Sequence, residues 1–74
     1  MSITRDKIIE EGKRRGISFL TLGQLLAKLG KSRKEAIDIF TQIYKEEGEK
    51  EEFAKIKAVS TVEEQFDPYA KKWM

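Results

Sequence analysis

Residues 21–48 read TLGQLLAKLGKSRKEAIDIFTQIYKEEG, and this stretch decides the fold. Thr21 with Gln24 three residues on has the form of a capping box, in which a hydroxyl accepts from an early helix N–H while the glutamine reaches back. Leu22, Leu25, Leu26 and Leu29 then fall at i, i+3, i+4 and i+7, the spacing of one helix face. Gly30 follows directly, and glycine tolerates the left-handed backbone that ends a helix sharply. Ser32 with Glu35 repeats the box and opens a longer helix carrying Ala36, Ile37, Ile39, Phe40, Ile43 and Tyr44 as its apolar residues, up to Gly48. Two helices thus meet across a turn of about three residues, and so short a connection makes them cross steeply over a third element.

Upstream, TRDKIIEEGKRR (Thr4 to Arg15) reads as a first helix: Thr4 caps it, Asp6 lies in its first turn, and Lys13, Arg14 and Arg15 suit the negative end of its dipole. Gly16 stops it. Its stripe is only Ile8 and Ile9 with Gly12 beneath, so it relies on close packing rather than a broad apolar face. The run ISFLT (Ile17 to Thr21) is β-favouring and serves as a short strand or an extended connector. Phe19, Leu20, Phe40 and Tyr44 are expected in the core.

Downstream of Gly48 two readings stay open. EKEEFAKIKAV is a helix with Phe53, Ile56 and Val59 inward, the reading propensity favours, or a strand with Ala54, Ile56 and Ala58 inward. Asp67-Pro68 then offers an N-cap followed by proline at the first position of a last short helix, with Phe66, Tyr69, Ala70 and Trp73 on one face.

Composition narrows the function. A chain of 74 residues is one small domain with a thin core, since so short a chain buries only about 60% of its unfolded surface. Without cysteine or histidine it has no disulfide, no zinc finger and no thiolate or imidazole catalysis, so an enzyme is not expected and no cofactor or metal is implied. No long apolar run or leader is visible, which predicts a cytoplasmic protein away from membranes. Abundant Lys, Glu and Ile suggest a hot habitat. The net charge of +2 conceals an asymmetry: residues 1–34 hold nine cations against three acids, whereas residues 35–74 hold six against ten. The first half can face phosphate while the second turns away.

Taken as a string, TLGQLLAKLGKSRKEAIDIF resembles the helix-turn-helix of DNA-binding domains, including the winged-helix superfamily. Thr21 stands at the start of the first helix, Leu25 and Leu29 on its buried face, Gly30 in the turn, Ser32 at the second cap, and Ala36 and Phe40 at its buried positions. The match covers about 20 residues, or about 45 with Thr4 to Arg15 as supporting helix and Ile17 to Leu20 as a small strand. Leu26 departs from it, because the family places a small residue there, and no glycine-bearing hairpin marks a wing between Gly48 and Pro68. The resemblance implies a mostly α fold: a three-helix core over residues 1–48, winged or not, and a C-terminal extension over residues 49–74 of the same domain.

It also implies that the helix from Arg33 to Glu47 enters the major groove of double-stranded DNA. At 100° per residue its outward positions are Lys34, Glu35, Asp38, Thr41, Gln42 and Lys45. Lys31, Arg33 and Lys34 are candidates for phosphate, Thr41, Gln42 and Lys45 for the groove, and Arg14 and Arg15 for the flanking backbone. The bland alternatives are that Glu35 completes a cap, that Asp38 pairs with Lys34, and that Lys13, Arg14 and Arg15 merely suit a helix end. The acids Glu46, Glu47, Glu49, Glu51 and Glu52 lack the alternation of a calcium loop and read as a solvated face. Phe66, Tyr69 and Trp73 are either cover for the domain's own core or a docking face. The expectation is therefore a DNA-binding transcriptional regulator, alone or as a homodimer. The alternative is a non-enzymatic accessory subunit docked through its helical face and aromatic C-terminal tail on a larger protein of a DNA polymerase, RNA polymerase or ribosome.

Overall fold

Ser2, not Thr4, opens the first helix. The computed structural model describes the backbone of residues 2–73 and the side chains of residues 2–70. In it Ser2 Oγ accepts from the Arg5 N–H at 3.1 Å, and α1 runs Ile3–Arg14. Thr4 loses the capping role because it serves another bond. The carboxylate of Glu46, at the end of the third helix, accepts from the Thr4 N–H at 3.0 Å, the Thr4 hydroxyl at 2.6 Å and the Ser2 hydroxyl at 2.7 Å. An acid from a distant helix thus satisfies the Thr4 amide in the first turn of α1, and Ser2, which also bonds to it, is buried.

The quoted stretch folds as its pattern predicts, into α2 (Leu22–Lys28) and α3 (Arg33–Glu46). Thr21 Oγ1 accepts from the Gln24 N–H at 3.2 Å; Gln24 returns to the Leu20 N–H rather than to Thr21, so the box closes one residue early. Gly30 adopts φ 81°, and the Lys31 N–H donates to the Leu26 carbonyl at 3.1 Å, the bond that closes a left-handed helix end. No rod runs through residues 21–47.

Beyond Gly48 the helical reading holds and the wing does not. Glu51–Thr61 (α4) and Asp67–Trp73 (α5) are joined through a π turn at Val62–Phe66 into one continuous helix. There is no strand among the described residues, including Ile17 to Leu20. The inward face of α4 is Ala54 and Ala58, followed by Val62 and Phe66 in the π turn, each four residues from the last. Phe53 and Ile56, expected inside, are 54% and 66% exposed. Small residues win because α3 lies along α4, with Ala36, Phe40 and Ile43 against Ala58, Val62 and Phe66. Two alanines let the axes approach where a phenylalanine would hold them apart.

Asp67-Pro68 does not start a new helix. Asp67 is already helical at φ −56°, ψ −43°, and its N–H donates back to the Val62 carbonyl, the longer loop of a π turn. Proline inside a helix lacks a donor and its ring presses on the carbonyl four residues back, and a widened turn directly before it gives that ring room. Gly23 sets the same place from the other side. A β-carbon there would sit 2.3 Å from Gln65 Cβ and 2.7 Å from its carbonyl carbon, so the start of α2 rests directly on the backbone of the π turn. The Gly23 N–H donates to Gln65 Oε1 at 3.3 Å.

Leu25 and Leu26 are fully buried, as is the core partner Val62. Leu25 receives α1 over Gly12, the close packing its thin stripe requires. Leu20 is the exception among the residues expected in the core: it is 87% exposed, and Phe19 is half-buried. No helix among the described residues is long and apolar enough to cross a membrane.

Candidate nucleic-acid interface

The start of α3 is built by its own sequence. The Glu35 N–H donates to Ser32 Oγ at 3.1 Å and the Ser32 N–H to Glu35 Oε1 at 3.0 Å, a reciprocal box that fixes the first turn. The Ser32 N–H, and after it the Ser32 hydroxyl, hold the Glu35 carboxyl below the usual carboxylate range, with a smaller push from the Lys31 charge. Glu35 therefore has the structural role that the bland alternative gave it.

Around this cap the cations differ in freedom. Lys34 is exposed and Lys31 half-buried, and neither has an ion-pair partner among the described residues. Asp38 likewise makes no ion pair with Lys34. Arg33 is tied through Nε to both carboxylate oxygens of Asp67 at 3.2 Å, so α5 is pinned to the start of α3. Both partners are solvent-accessible, and such a pair contributes about 0–1 kcal/mol.

Further along α3, Gln42 and Lys45 are exposed as the helical arc predicts, but both are engaged. Gln42 Nε2 donates to Glu46 Oε2 at 3.1 Å, and Lys45 lies 3.6 Å from Glu51. Thr41 is half-buried, and its hydroxyl donates to the Ile37 carbonyl at 2.7 Å within the same helix. Arg14 is exposed without an ion pair among the described residues, while Arg15 reaches Glu11 at 3.4 Å.

Ser2 and Thr4 meet Glu46, so the start of α1 lies at the end of α3. Lys28 Nζ donates to the Ser18 carbonyl at 2.5 Å, bringing the residues after α1 to the end of α2. The start of α3 carries Lys31, Arg33 and Lys34, with Lys28 at the end of α2 just before the Gly30 turn. The far end of α3, where it passes into α4, carries Glu46, Glu47, Glu49, Glu51 and Glu52.

Glu46 is the residue that sequence reasoning missed. It sits in the acidic run read as a solvated face, yet hydrogen bonds from the Thr4 hydroxyl, then the Ser2 hydroxyl, the Thr4 N–H and Gln42 hold its carboxyl at about 2. Glu49 is also occupied, accepting from Lys57 Nζ at 2.7 Å. No group of three or more acids among the described residues is arranged to hold a metal ion.

The aromatic tail divides. Phe66 is 2% exposed and belongs to the core, so its ring is not open to a partner, contrary to the docking reading. Tyr69 is half-buried against the same core. The side chain of Trp73 lies outside the described residues. Comparison with protein-family models, with curated proteins and with solved structures returns no match for this chain.

Proposed function

We propose that this chain is a non-enzymatic DNA-binding protein whose α2–α3 pair works as a helix-turn-helix, with α3 entering the major groove of duplex DNA and transcriptional regulation as its use. One observation carries the reading. The Gly30 turn leaves Lys31 and Lys34 at an accessible helix start, both without ion-pair partners among the described residues, with Arg33 between them. Lysines so placed suit phosphate oxygens, and the N–H groups of a helix start add to the attraction.

Glu35 is less of an obstacle than its charge suggests, because its carboxylate is engaged by Ser32. Asp38 is the informative acid. Exposed one turn along the same face, it accepts a base edge only where a cytosine amino group donates to it, and so biases the sites that α3 tolerates.

Titration against duplex DNA at two salt concentrations tests this. Each phosphate neutralised adds about 0.9 to the slope of log affinity on log salt, so Lys34→Ala is expected to flatten that slope by about one. Absence of binding at low salt, or a slope that Lys34→Ala leaves unchanged, removes the proposal.

A second reading, docking on a larger protein, is favoured by Phe53 and Ile56, whose exposure on one side of α4 leaves an apolar pair in water. On this reading the anchor is the middle of α4 rather than Phe66. A partner retained by the native chain and lost by Phe53→Asp with Ile56→Asp would support it.

A further inference from the structure

We infer that the groove between α1, the segment before α2 and α3 binds an apolar α-amino acid as its zwitterion. The groove encloses about 310 Å³, at the small end of the range for small-molecule sites. Its apolar lining is Ile9, Phe19, Leu22, Phe40 and Ile43, which can receive an aliphatic or aromatic side chain, and Thr21, Tyr44, Thr61 and Gln65 line it beside them.

The charged groups of the groove are Arg5 and Glu47. Inside, the Thr61 hydroxyl donates to the Lys57 carbonyl at 2.8 Å, so the Tyr44 phenol donates to Thr61 Oγ1 across their 2.7 Å contact. Gln65 Oε1 accepts from the Gly23 N–H. The Tyr44 and Thr61 hydroxyls and Gln65 Oε1 thus find partners within the protein. At the mouth stand Arg5 and Glu47, opposite in charge, both exposed, and joined by no ion pair to each other or to any described residue.

A ligand that bears a carboxylate and an ammonium on one carbon, with an apolar group beyond it, complements this arrangement. The carboxylate takes the Arg5 guanidinium, the ammonium takes the Glu47 carboxylate, and the side chain enters among the rings. Leu20 completes the fit. It also lines the groove while 87% exposed, and an occupant would cover part of that apolar surface.

The test uses L-phenylalanine as probe, with 3-phenylpropanoate lacking the ammonium and 2-phenylethylamine lacking the carboxylate. Binding to the full chain is followed by amide chemical shifts. L-phenylalanine is expected to give saturable shifts at Ile9, Leu22 and Tyr44, and each analogue to bind about tenfold more weakly for loss of one charge-assisted contact. Arg5→Gln should weaken L-phenylalanine and 3-phenylpropanoate but not 2-phenylethylamine, whereas Glu47→Gln should weaken L-phenylalanine and 2-phenylethylamine but not 3-phenylpropanoate. Both side chains are exposed, and unchanged melting temperatures verify that the variants fold. No saturable shift with L-phenylalanine, an analogue that binds equally well, or indifference to either substitution would overturn the inference. None of these outcomes depends on whether the chain binds DNA.

Discussion

Gly23→Ala adds a single methyl group at the tightest place in the molecule. The new carbon would stand 2.3 Å from Gln65 Cβ, 2.7 Å from its carbonyl carbon and 2.9 Å from its carbonyl oxygen, where ordinary contact begins near 3.4 Å. The obstacles are main-chain atoms and a β-carbon, so no rotamer change relieves them; α2 and the π turn must separate by about an ångström. Overpacking of this kind costs about 1–3 kcal/mol, and three simultaneous overlaps argue for the upper end. Helix propensity returns about 1 kcal/mol, leaving a net loss of about 2 kcal/mol. For a domain of this size that is a fall in Tm of about 8–16 °C. Gly12→Ala is the matched control. Its β-carbon would meet only the terminal methyl and branch carbons of Leu25, at 2.7 Å and beyond, and a leucine end can rotate away. With the same propensity gain, that variant should lie within about 1 kcal/mol of the parent. Thermal melts of the three proteins by circular dichroism decide the matter. A Gly23→Ala protein as stable as the parent, or less affected than Gly12→Ala, would refute the account of how α2 seats on the π turn.

Two further outcomes follow from the core and the α1 cap. The Glu46 carboxyl is depressed from 4.5 to about 2, so its contribution to stability is complete above pH 4.5 and lost as pH falls toward 2; Tm measured across that window should drop in the parent, and Glu46→Gln should remove much of the dependence. Phe66→Ala empties a core position that is 2% exposed and should cost about 3–5 kcal/mol in a urea titration; a small loss would return Phe66 to the surface.

Much of this was legible in the string because it is local. Thr21, Ser32 and Glu35 cap as their spacing requires, and Gly16, Gly30 and Gly48 stand at positive φ just past the helices they were expected to stop. What failed depends on contacts far apart in sequence. Ser2 displaced Thr4 because Glu46, more than 40 residues away, took the Thr4 amide and hydroxyl. The inward face of α4 was misjudged by side-chain size. The large residues Phe53 and Ile56 drew the eye, although Ala54, Ala58, Val62 and Phe66 keep a strict four-residue spacing that was readable. Leu20 escaped because burial of a connector depends on what passes over it, and nothing in the described chain does. For the candidate interface, sequence gave the exposure of Lys34 and Arg14, but not that Arg33 is tethered by Asp67 or that Gln42 is turned toward Glu46.

The widened turn at Val62–Phe66 amounts to an α-helix holding one surplus residue. That surplus changes the phase of everything after it by about 100°, the rotation contributed by a single residue. The portion before it lies mainly on α3 and the portion after it on α2. A single unbroken helix thereby presents two differently oriented faces to two neighbours, which a regular helix of the same length would not do. Deleting one residue from this turn would leave α4 seated and swing Asp67 away from Arg33 and Tyr69 off the core, a registration error rather than a hole.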